Sequence, residues 1–345
     1  MNDIINWGII GLGNVAHGFA KSIDSAKNAK LTAIASKTPD KLSKFKNEFN
    51  INSNNCYDDY QKLLNSAEVD IVYITLPNIF HFHWIMQAIK KDKRILIEKP
   101  AFLNIEQAQI VKQKIKEKKI FFTEGFFYRY LPHISDIIKI INENEIGELI
   151  SMESNFGNNI LTKKNFFGFN KRKKIDENNR KYNKQLGGGA IFDLGCYPSS
   201  FSIIIASLKE NIDLNKIILS NVSKEVLNSG VDLDSYVELN FDNKFIAKVG
   251  ASFTKNLGKH TKIIGKKGEI LIENTWHAAP SIIKIISDKE NKIILESKNN
   301  IFSYEIELLS KYVNEGKKKP DYPAMNLVET ALNINILEKW INYEK

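Results

Sequence analysis

Trp7-Gly8-Ile9-Ile10-Gly11-Leu12-Gly13-Asn14-Val15-Ala16 sets an apolar run, a glycine-rich turn and the start of a helical stretch in immediate succession. Gly11 permits a tight strand-to-helix turn. Gly13 removes a side chain that would hold the backbone away from a pyrophosphate, and Ala16 is small enough for the helix to lie close to the strand. The helix start then presents unpaired N–H groups and a partial positive charge to phosphates. A strand over 6–10, a helix over 14–26 and a second strand over 31–35 complete one unit of the right length, so Gly11, Leu12, Gly13, Asn14 and Val15 read as a dinucleotide site. The alternative, a glycine-rich turn without a cofactor, has the same pattern but not the same context.

The end of the second strand bears on which cofactor is held. An NAD-specific site has an acid there to accept the ribose 2′-hydroxyl. Here the chain reads Ala35-Ser36-Lys37-Thr38, with no acid before Asp40. Ser36 and Thr38 can hydrogen-bond a 2′-phosphate and Lys37 can pair with it, so NADP is the expected cofactor, with NAD possible.

Working outward, strand-like runs over 6–10, 31–35, 70–75, 94–97 and 120–123 alternate with helix-like runs over 39–49, 57–65, 82–91 and 105–118. That alternation is what a parallel sheet with crossover helices requires. Residues 1–123 are therefore expected to form a doubly wound Rossmann domain. Beyond Glu124 consecutive strands are expected over 149–155, 216–222, 235–241, 245–253, 261–264, 269–273, 282–287 and 292–296, with hairpins around 242–243 and 288–291. Residues 124–345 thus read as a substrate-binding and oligomerisation domain of α/β class with a mostly antiparallel open sheet. An uncovered sheet face calls for a partner, and a homodimer or higher homo-oligomer through that sheet is the simplest expectation. A final helix over 326–340 is expected to pack back on the rest of the chain, with the first domain as one option.

Composition bounds the function classes. The 345 residues are 43% hydrophobic and 26% charged, ordinary values for a globular protein. No apolar run is read as approaching the ~20 residues that span a bilayer, and the start lacks a basic segment followed by an apolar one. Cys56 and Cys196 stand far apart, without disulfide or metal spacing. A cytoplasmic protein with no membrane partner is expected. The net charge of +9 is carried by lysines scattered among asparagines and isoleucines, without zinc-finger spacing or an RNA-binding aromatic motif, so no nucleic-acid partner is expected. The segment 163–184 is denser, with nine Lys or Arg against Asp176 and Glu177, and reads either as an exposed loop or as an anion-binding one. His133, His260 and His277 show no ligand spacing with carboxylates, so no metal is expected.

In a doubly wound sheet ligands bind beyond the carboxyl ends of the strands. Three segments fall there: Thr75-Leu76-Pro77-Asn78 with His81, then Glu98-Lys99-Pro100, then Glu124-Gly125-Phe126-Phe127-Tyr128-Arg129-Tyr130. A fourth lies in the second domain, Gly187-Gly188-Gly189-Ala190-Ile191-Phe192-Asp193-Leu194-Gly195-Cys196-Tyr197-Pro198. Hydride transfer at a carbinol carbon needs an acid/base within hydrogen-bond reach of the oxygen, and Tyr197 can fill that role. A phenol, with a reference pKa near ~10, is a poor base at neutral pH, and a nearby ammonium such as that of Lys99 favours its ionised form. Asp193, four residues before Tyr197 on the same helical face, can orient Lys99 or bind a substrate hydroxyl. Each has a structural alternative: Tyr197 as a core aromatic, Lys99 as a surface lysine, Asp193 as a helix-surface carboxylate. His81 and Glu98 can contact the cofactor or simply support their turns. Arg129 and Tyr128 can line a substrate cleft, or Arg129 can be stacked structurally between Tyr128 and Tyr130.

Taken together, the four segments resemble the glucose-fructose oxidoreductase, inositol dehydrogenase and rhizopine-catabolism (Gfo/Idh/MocA) family over nearly the whole chain. The most specific part is Glu-Lys-Pro after a strand, followed about a hundred residues later by Gly-Gly-Gly…Asp-x-Gly-x-Tyr. The resemblance implies a pyridine-nucleotide oxidoreductase with an N-terminal Rossmann domain and an open C-terminal sheet that often mediates oligomerisation. Many members carry His where this chain has Tyr197. The Tyr form resembles the branch of dimeric dihydrodiol dehydrogenase, D-xylose dehydrogenase and nucleotide-sugar ketoreductases. The expected function is NADP-preferring oxidoreduction of a sugar or sugar derivative. The alternatives are oxidation of a trans-dihydrodiol or cyclic polyol, or a non-catalytic cofactor-binding regulator.

Overall fold

The computed structural model describes residues 4–164, 170–209, 213, 216–242, 244–277, 281–287, 291–295 and 301–344. The chain divides into two compact units, Met1–Leu131 with Asn300–Ala331, and Pro132–Asn299 with Leu332–Lys345.

In the first unit, chain order runs β1 (Ile5–Ile10), α1 (Asn14–Ile23), β2 (Ala29–Ala35), α2 (Pro39–Glu48), β3 (Cys56–Tyr57), α3 (Tyr60–Asn65), β4 (Ile71–Ile74), α4 (His81–Lys90), β5 (Arg94–Ile97), α5 (Ile105–Lys118) and β6 (Phe122–Glu124). The six strands form one parallel sheet in the order β3-β2-β1-β4-β5-β6. Strands flanked by helices on both faces have no solvent side, and β1 and β4 are accordingly apolar almost throughout. Helix α1 turns Ala16, Phe19, Ala20 and Ile23 inward at helical spacing. The strand order reverses direction between β1 and β4, which puts the ligand crevice beyond their carboxyl ends.

The second unit begins with α6 (Pro132–Asn142) and β7 (Leu149–Gly157), followed by a ribbon of β8 (Thr162–Lys164) and β9 (Asn170–Arg172). A π-helical turn over Ile191–Gly195 leads into α7 (Cys196–Ser207). Then come β10 (Ile218–Val226), β11 (Asp232–Asn240), β12 (Ile246–Ser252), β13 (Thr261–Gly265), β14 (Gly268–Ile272), β15 (Ser281–Ile286) and β16 (Asn291–Leu295). Eight strands make one sheet, β10-β11-β12-β7-β13-β14-β15-β16, antiparallel except for the β12–β7 pair. Two helices close the chain, α8 (Ser303–Asn314) and α9 (Leu327–Ile341).

The fold class is that expected, and several details differ. The expected helix start at 57 is occupied by β3, because Asp59 caps α3 through the Gln61 amide, leaving Tyr57 extended against Ala35. Helices α6 and α8 are elements that the sequence reading does not place. The first unit extends to Leu131 rather than ending at Thr123, and takes in Asn300–Ala331. Helix α9 is shared, with Leu332 onward belonging to the second unit, where the Trp340 indole donates to the Ser235 hydroxyl at 2.8 Å. The turn residues 243 and 288–290 of the two expected hairpins lie outside the described residues. One segment, Lys184–Ser207, is long and apolar enough to cross a bilayer, contrary to the expectation that none would be, yet 94% of its most apolar window is buried inside the fold.

Candidate active site

At the carboxyl edge of the parallel sheet the backbone ladder runs one step past each strand. Gly11 N–H donates to the Ala35 carbonyl at 3.0 Å, Thr75 N–H to Ile10 at 2.9 Å, Glu98 N–H to Ile74 at 3.0 Å and Gly125 N–H to Ile97 at 2.7 Å. These bonds bring the glycine turn, the Thr75 segment and the Glu98-Lys99 segment onto one continuous edge. Gly11 has φ +89°, a conformation that costs glycine nothing, and the Leu76 side chain packs where a Cβ would stand. Gly13 caps α1 without a side-chain bond, and a Cβ built on it meets nothing within 4 Å. The free amide end of α1 therefore faces open space, the room a pyrophosphate needs. Leu12 is buried beneath the turn, while Gly13, Asn14 and Val15 are exposed at its surface. These residues fit a dinucleotide.

At the tip of β2, Ser36 is buried, and its hydroxyl accepts the Thr38 amide at 3.1 Å, so it braces the turn. Lys37 and Thr38 are exposed, and Thr38 caps α2 without using its side chain. The Lys37 ammonium lies 5.5 Å from the centre of the Tyr60 ring, which meets Trp84 edge-on at 4.9 Å.

His81 is fully buried, with Nδ1 3.0 Å from the Pro100 carbonyl and Nε2 2.7 Å from the Leu76 carbonyl. It ties the turn after β4 to the turn after β5 from behind, in place of the expected contact with the cofactor. Glu98 accepts the Tyr73 hydroxyl and the Lys99 amide, and so supports the turn from which the half-buried Lys99 projects. Asn78 is largely buried at the start of a short helical turn, behind half-buried Thr75, Leu76 and Pro77.

Arg129 and Tyr128 do not line a cleft. Both are fully buried, and the Arg129 guanidinium is 3.1 Å from Glu329 and donates to the Pro323 carbonyl at 3.2 Å. Burial opposes its charge, but the Glu329 carboxylate and Tyr128 more than compensate, holding it protonated more firmly than an ordinary arginine. The sequence pattern resembled a site because a buried ion pair and a binding arginine present the same residue types.

In the second unit the glycine turn launches the helix bearing Asp193 and Tyr197. Gly189 has φ +121°, and the Asp232 carboxylate fills the space where its Cβ would be. Asp232 accepts the Ile191 amide at 2.7 Å, capping the helix. Burial pushes the Asp232 carboxyl up to about 6, while the Ile191 and Ala190 amides pull it down. Asp193 lies within the π-helical turn over Ile191–Gly195, a geometry common at functional sites, and Tyr197 is the second residue of α7 that follows it. Asp193 meets Lys181 at 3.2 Å and Arg180 at 3.8 Å. Tyr197 is only 5% exposed and stands edge-on to Phe156 with ring centres 5.3 Å apart, and 5.9 Å from Trp276. Phe156 also meets His277 at 5.9 Å, whose imidazole burial and the nearby Lys259 push down to about 4, so it is neutral at pH 7.

Asp232, Phe156 and Trp276 were not singled out in the sequence, whereas Arg180 and Lys181 fall within the charged segment read there as an exposed or anion-binding loop. Only the basic pair carried a local signal, its place in the charged segment. The others come from strands or strand ends distant in the chain. Among the described residues no group of three or more His, Cys, Asp or Glu side chains gathers as a metal site would require.

Comparison with known proteins supplies context for this geometry. Residues 5–126 match the model of an oxidoreductase family with an NAD-binding Rossmann fold, and residues 134–271 match the GFO/IDH/MocA C-terminal domain. The chain is 24% identical over 344 residues to trans-1,2-dihydrobenzene-1,2-diol dehydrogenase of Xenopus tropicalis, covering 96% of each. It is 26% identical over 287 residues to glucose-6-phosphate 3-dehydrogenase of Bacillus subtilis, covering 81% of this chain and 76% of that one. In fold it is similar, with TM-score 0.80 and 19% identity, to a 3-ketoreductase of Actinomadura kijaniata solved with NADP and TDP-benzene, covering 98% of this chain and 97% of the other.

Proposed function

Because this chain belongs to the Gfo/Idh/MocA oxidoreductase family, and so is an NAD(P)-dependent oxidoreductase acting on CH–OH groups, we propose that its substrate is a sugar or sugar derivative and that Tyr197 is the acid/base. The observation that carries this reading is the setting of Tyr197: a phenol on a helix capped by Asp232, enclosed by Phe156 and Trp276. Such enclosure excludes water from a proton transfer and fixes the ring. When bound, the nicotinamide cofactor accepts or returns the hydride. The chain's own part is to hold that cofactor on Gly11–Val15 and Lys37–Thr38, and to move the hydroxyl proton through Tyr197. Lys99 supplies positive charge that favours the ionised phenol and polarises a carbonyl oxygen. NADP is preferred over NAD, a reading supported by Lys37 and Thr38 standing exposed where an NAD site has an acid. Self-association through the eight-stranded sheet is part of the same reading, supported by exposed Ile150 and Ile286 on β7 and β15.

A second reading, oxidation of a trans-dihydrodiol, is favoured by the full-length similarity to the Xenopus tropicalis dihydrodiol dehydrogenase. Assays with NADP and a panel of sugars, polyols and a trans-dihydrodiol separate the two. Tyr197→Phe keeps the ring volume and removes the proton-transfer group, so kcat is expected to fall by ~10²–10⁴ with NADP binding retained. Lys99→Met is expected to have a comparable effect on kcat with little change in Tm. Near-normal turnover by Tyr197→Phe overturns the assignment.

A further inference from the structure

We propose that Arg180 and Lys181 form an anion-binding subsite beside Asp193, and that the sugar substrate carries a phosphate or diphosphate ester. The inference rests on the reading of Tyr197 as acid/base on a sugar, and names the class of sugar. Both cations stand on one short helical turn, Arg180–Tyr182, and both approach the same carboxylate, so two positive charges share one negative charge. The Arg180 side chain is 51% exposed and that of Asp193 15%, which leaves the surplus charge open to solvent. At 3.8 Å the guanidinium is outside hydrogen-bond distance of Asp193, and among the described residues it makes no hydrogen bond. Its fork of N–H donors is thus unspent. A planar fork of this kind matches a phosphate through two parallel bonds.

The basic turn is also held in place by the same backbone that starts the Tyr197 helix. Gly188 N–H donates to the Asn183 carbonyl at 2.9 Å and Gly189 N–H to the Lys181 carbonyl at 3.0 Å. A Cβ at Gly188 would lie 2.6 Å from the Arg180 carbonyl oxygen and 2.7 Å from that of Lys181, so only glycine admits the contact. The Asn179 side chain accepts the Lys181 amide at 3.0 Å, and the Lys181 ammonium lies 5.3 Å from the Phe253 ring centre. Anchored donors lose less entropy on binding than donors on a free loop. Elsewhere in the charged segment, by contrast, Lys173 is spent on the Ile160 carbonyl at 2.8 Å.

The test compares D-glucose, D-glucose 6-phosphate and UDP-glucose with the full-length enzyme and NADP. It records kcat/KM at two ionic strengths, and binding of each sugar to the NADP-loaded protein by calorimetry. One of the two phosphorylated sugars is expected to exceed glucose, and to lose that advantage by roughly tenfold or more in Arg180→Gln, as befits a hydrogen bond to a charged group. Arg180→Lys should retain part of it, and the advantage should shrink with salt. Tm checks that each variant is folded. The monophosphate and the UDP-sugar arms separate an ester on the sugar from a nucleotide linkage. Turnover of glucose with no preference for either phosphorylated sugar overturns the subsite while leaving the oxidoreductase reading intact, as does a preference that Arg180→Gln leaves unmoved. Binding of glucose 6-phosphate that Arg180→Gln abolishes, without turnover of any sugar, upholds the subsite and overturns the proposed reaction.

Discussion

Glu124, the last residue of β6, is 2% exposed and accepts the Ala101 amide at 2.9 Å. Burial pushes its carboxyl up to about 7, with the Glu98 charge adding and the Ala101 amide and Arg129 opposing. The native state therefore binds a proton more tightly than the unfolded chain. Its stabilising contribution is full below the ordinary value of 4.5 and is lost as pH rises through about 7. Glu124→Gln keeps the acceptor for Ala101 and removes the titration. Relative to this variant, the natural protein is expected to lose about 2–3 kcal/mol between pH 4 and 8, read as a fall in the difference between their Tm values. Parallel Tm–pH curves for the two proteins would refute the claim. Glu305 on α8 is fully buried, with neither carboxyl oxygen bonded among the described residues, and burial pushes it well above the ordinary range too. The Glu98 charge adds to burial in raising both Glu124 and Glu305.

Among the elements, the β2 tip, proposed above to set cofactor choice, meets the α3–α4 aromatic pair. Lys37 over the Tyr60 ring is a cation–π contact that restrains a flexible exposed side chain, and Trp84 packs edge-on against the same ring. Lys37→Met is expected to cut the preference for NADP over NAD by about tenfold or more, and Tyr60→Leu by about two- to fivefold. The double variant should be no worse than Lys37→Met alone, since Tyr60 acts through the lysine. Steady-state kinetics with both cofactors measures this, and a tenfold preference of the natural protein for NAD would overturn it. Much of this element was legible in sequence, because the turn, its exposed lysine and the missing acid are all local. Tyr60 was not, because its two partners, Lys37 and Trp84, come from separate elements. The same division holds elsewhere. The strands around Gly11, Thr75 and Lys99 are short, apolar and bounded by turns, and could be read directly. Helix α8 could not be assigned to the first unit by any local pattern, since its apolar face would suit either core. His81 and Arg129 were recognised as unusual, but burial decided what they do, and burial is a property of the packed chain.

At the scale of the molecule, the first unit is not continuous in sequence. Its hydrophobic core joins Trp7, Phe19 and Tyr73 to Ile306, Leu309 and Tyr312 of α8. The Trp7 indole donates to the Ser310 hydroxyl at 3.0 Å, Thr123 donates to the Met325 carbonyl at 2.8 Å, and Arg129 requires Glu329. A fragment of residues 1–131 would expose that apolar surface and leave a buried arginine without its counter-charge, a change that costs about 3–5 kcal/mol for the ion pair alone. It is expected to show no cooperative thermal transition by circular dichroism and no NADP binding. Joining residues 300–331 to it through a flexible linker should restore both. A cooperative transition in the 1–131 fragment by itself would contradict the account.

The late arrival of α8 also has a consequence for biosynthesis. The glycine turn and all six parallel strands have left the ribosome long before Ser303–Asn314 is made. At a synthesis rate of ~5–20 residues per second, the gap between Leu131 and Ala331 lasts roughly 10–40 s. Throughout that interval the side of the nascent sheet that receives Ile306 and Leu309 lacks the cover of α8, and apolar surface left open in this way is prone to aggregate until the helix arrives.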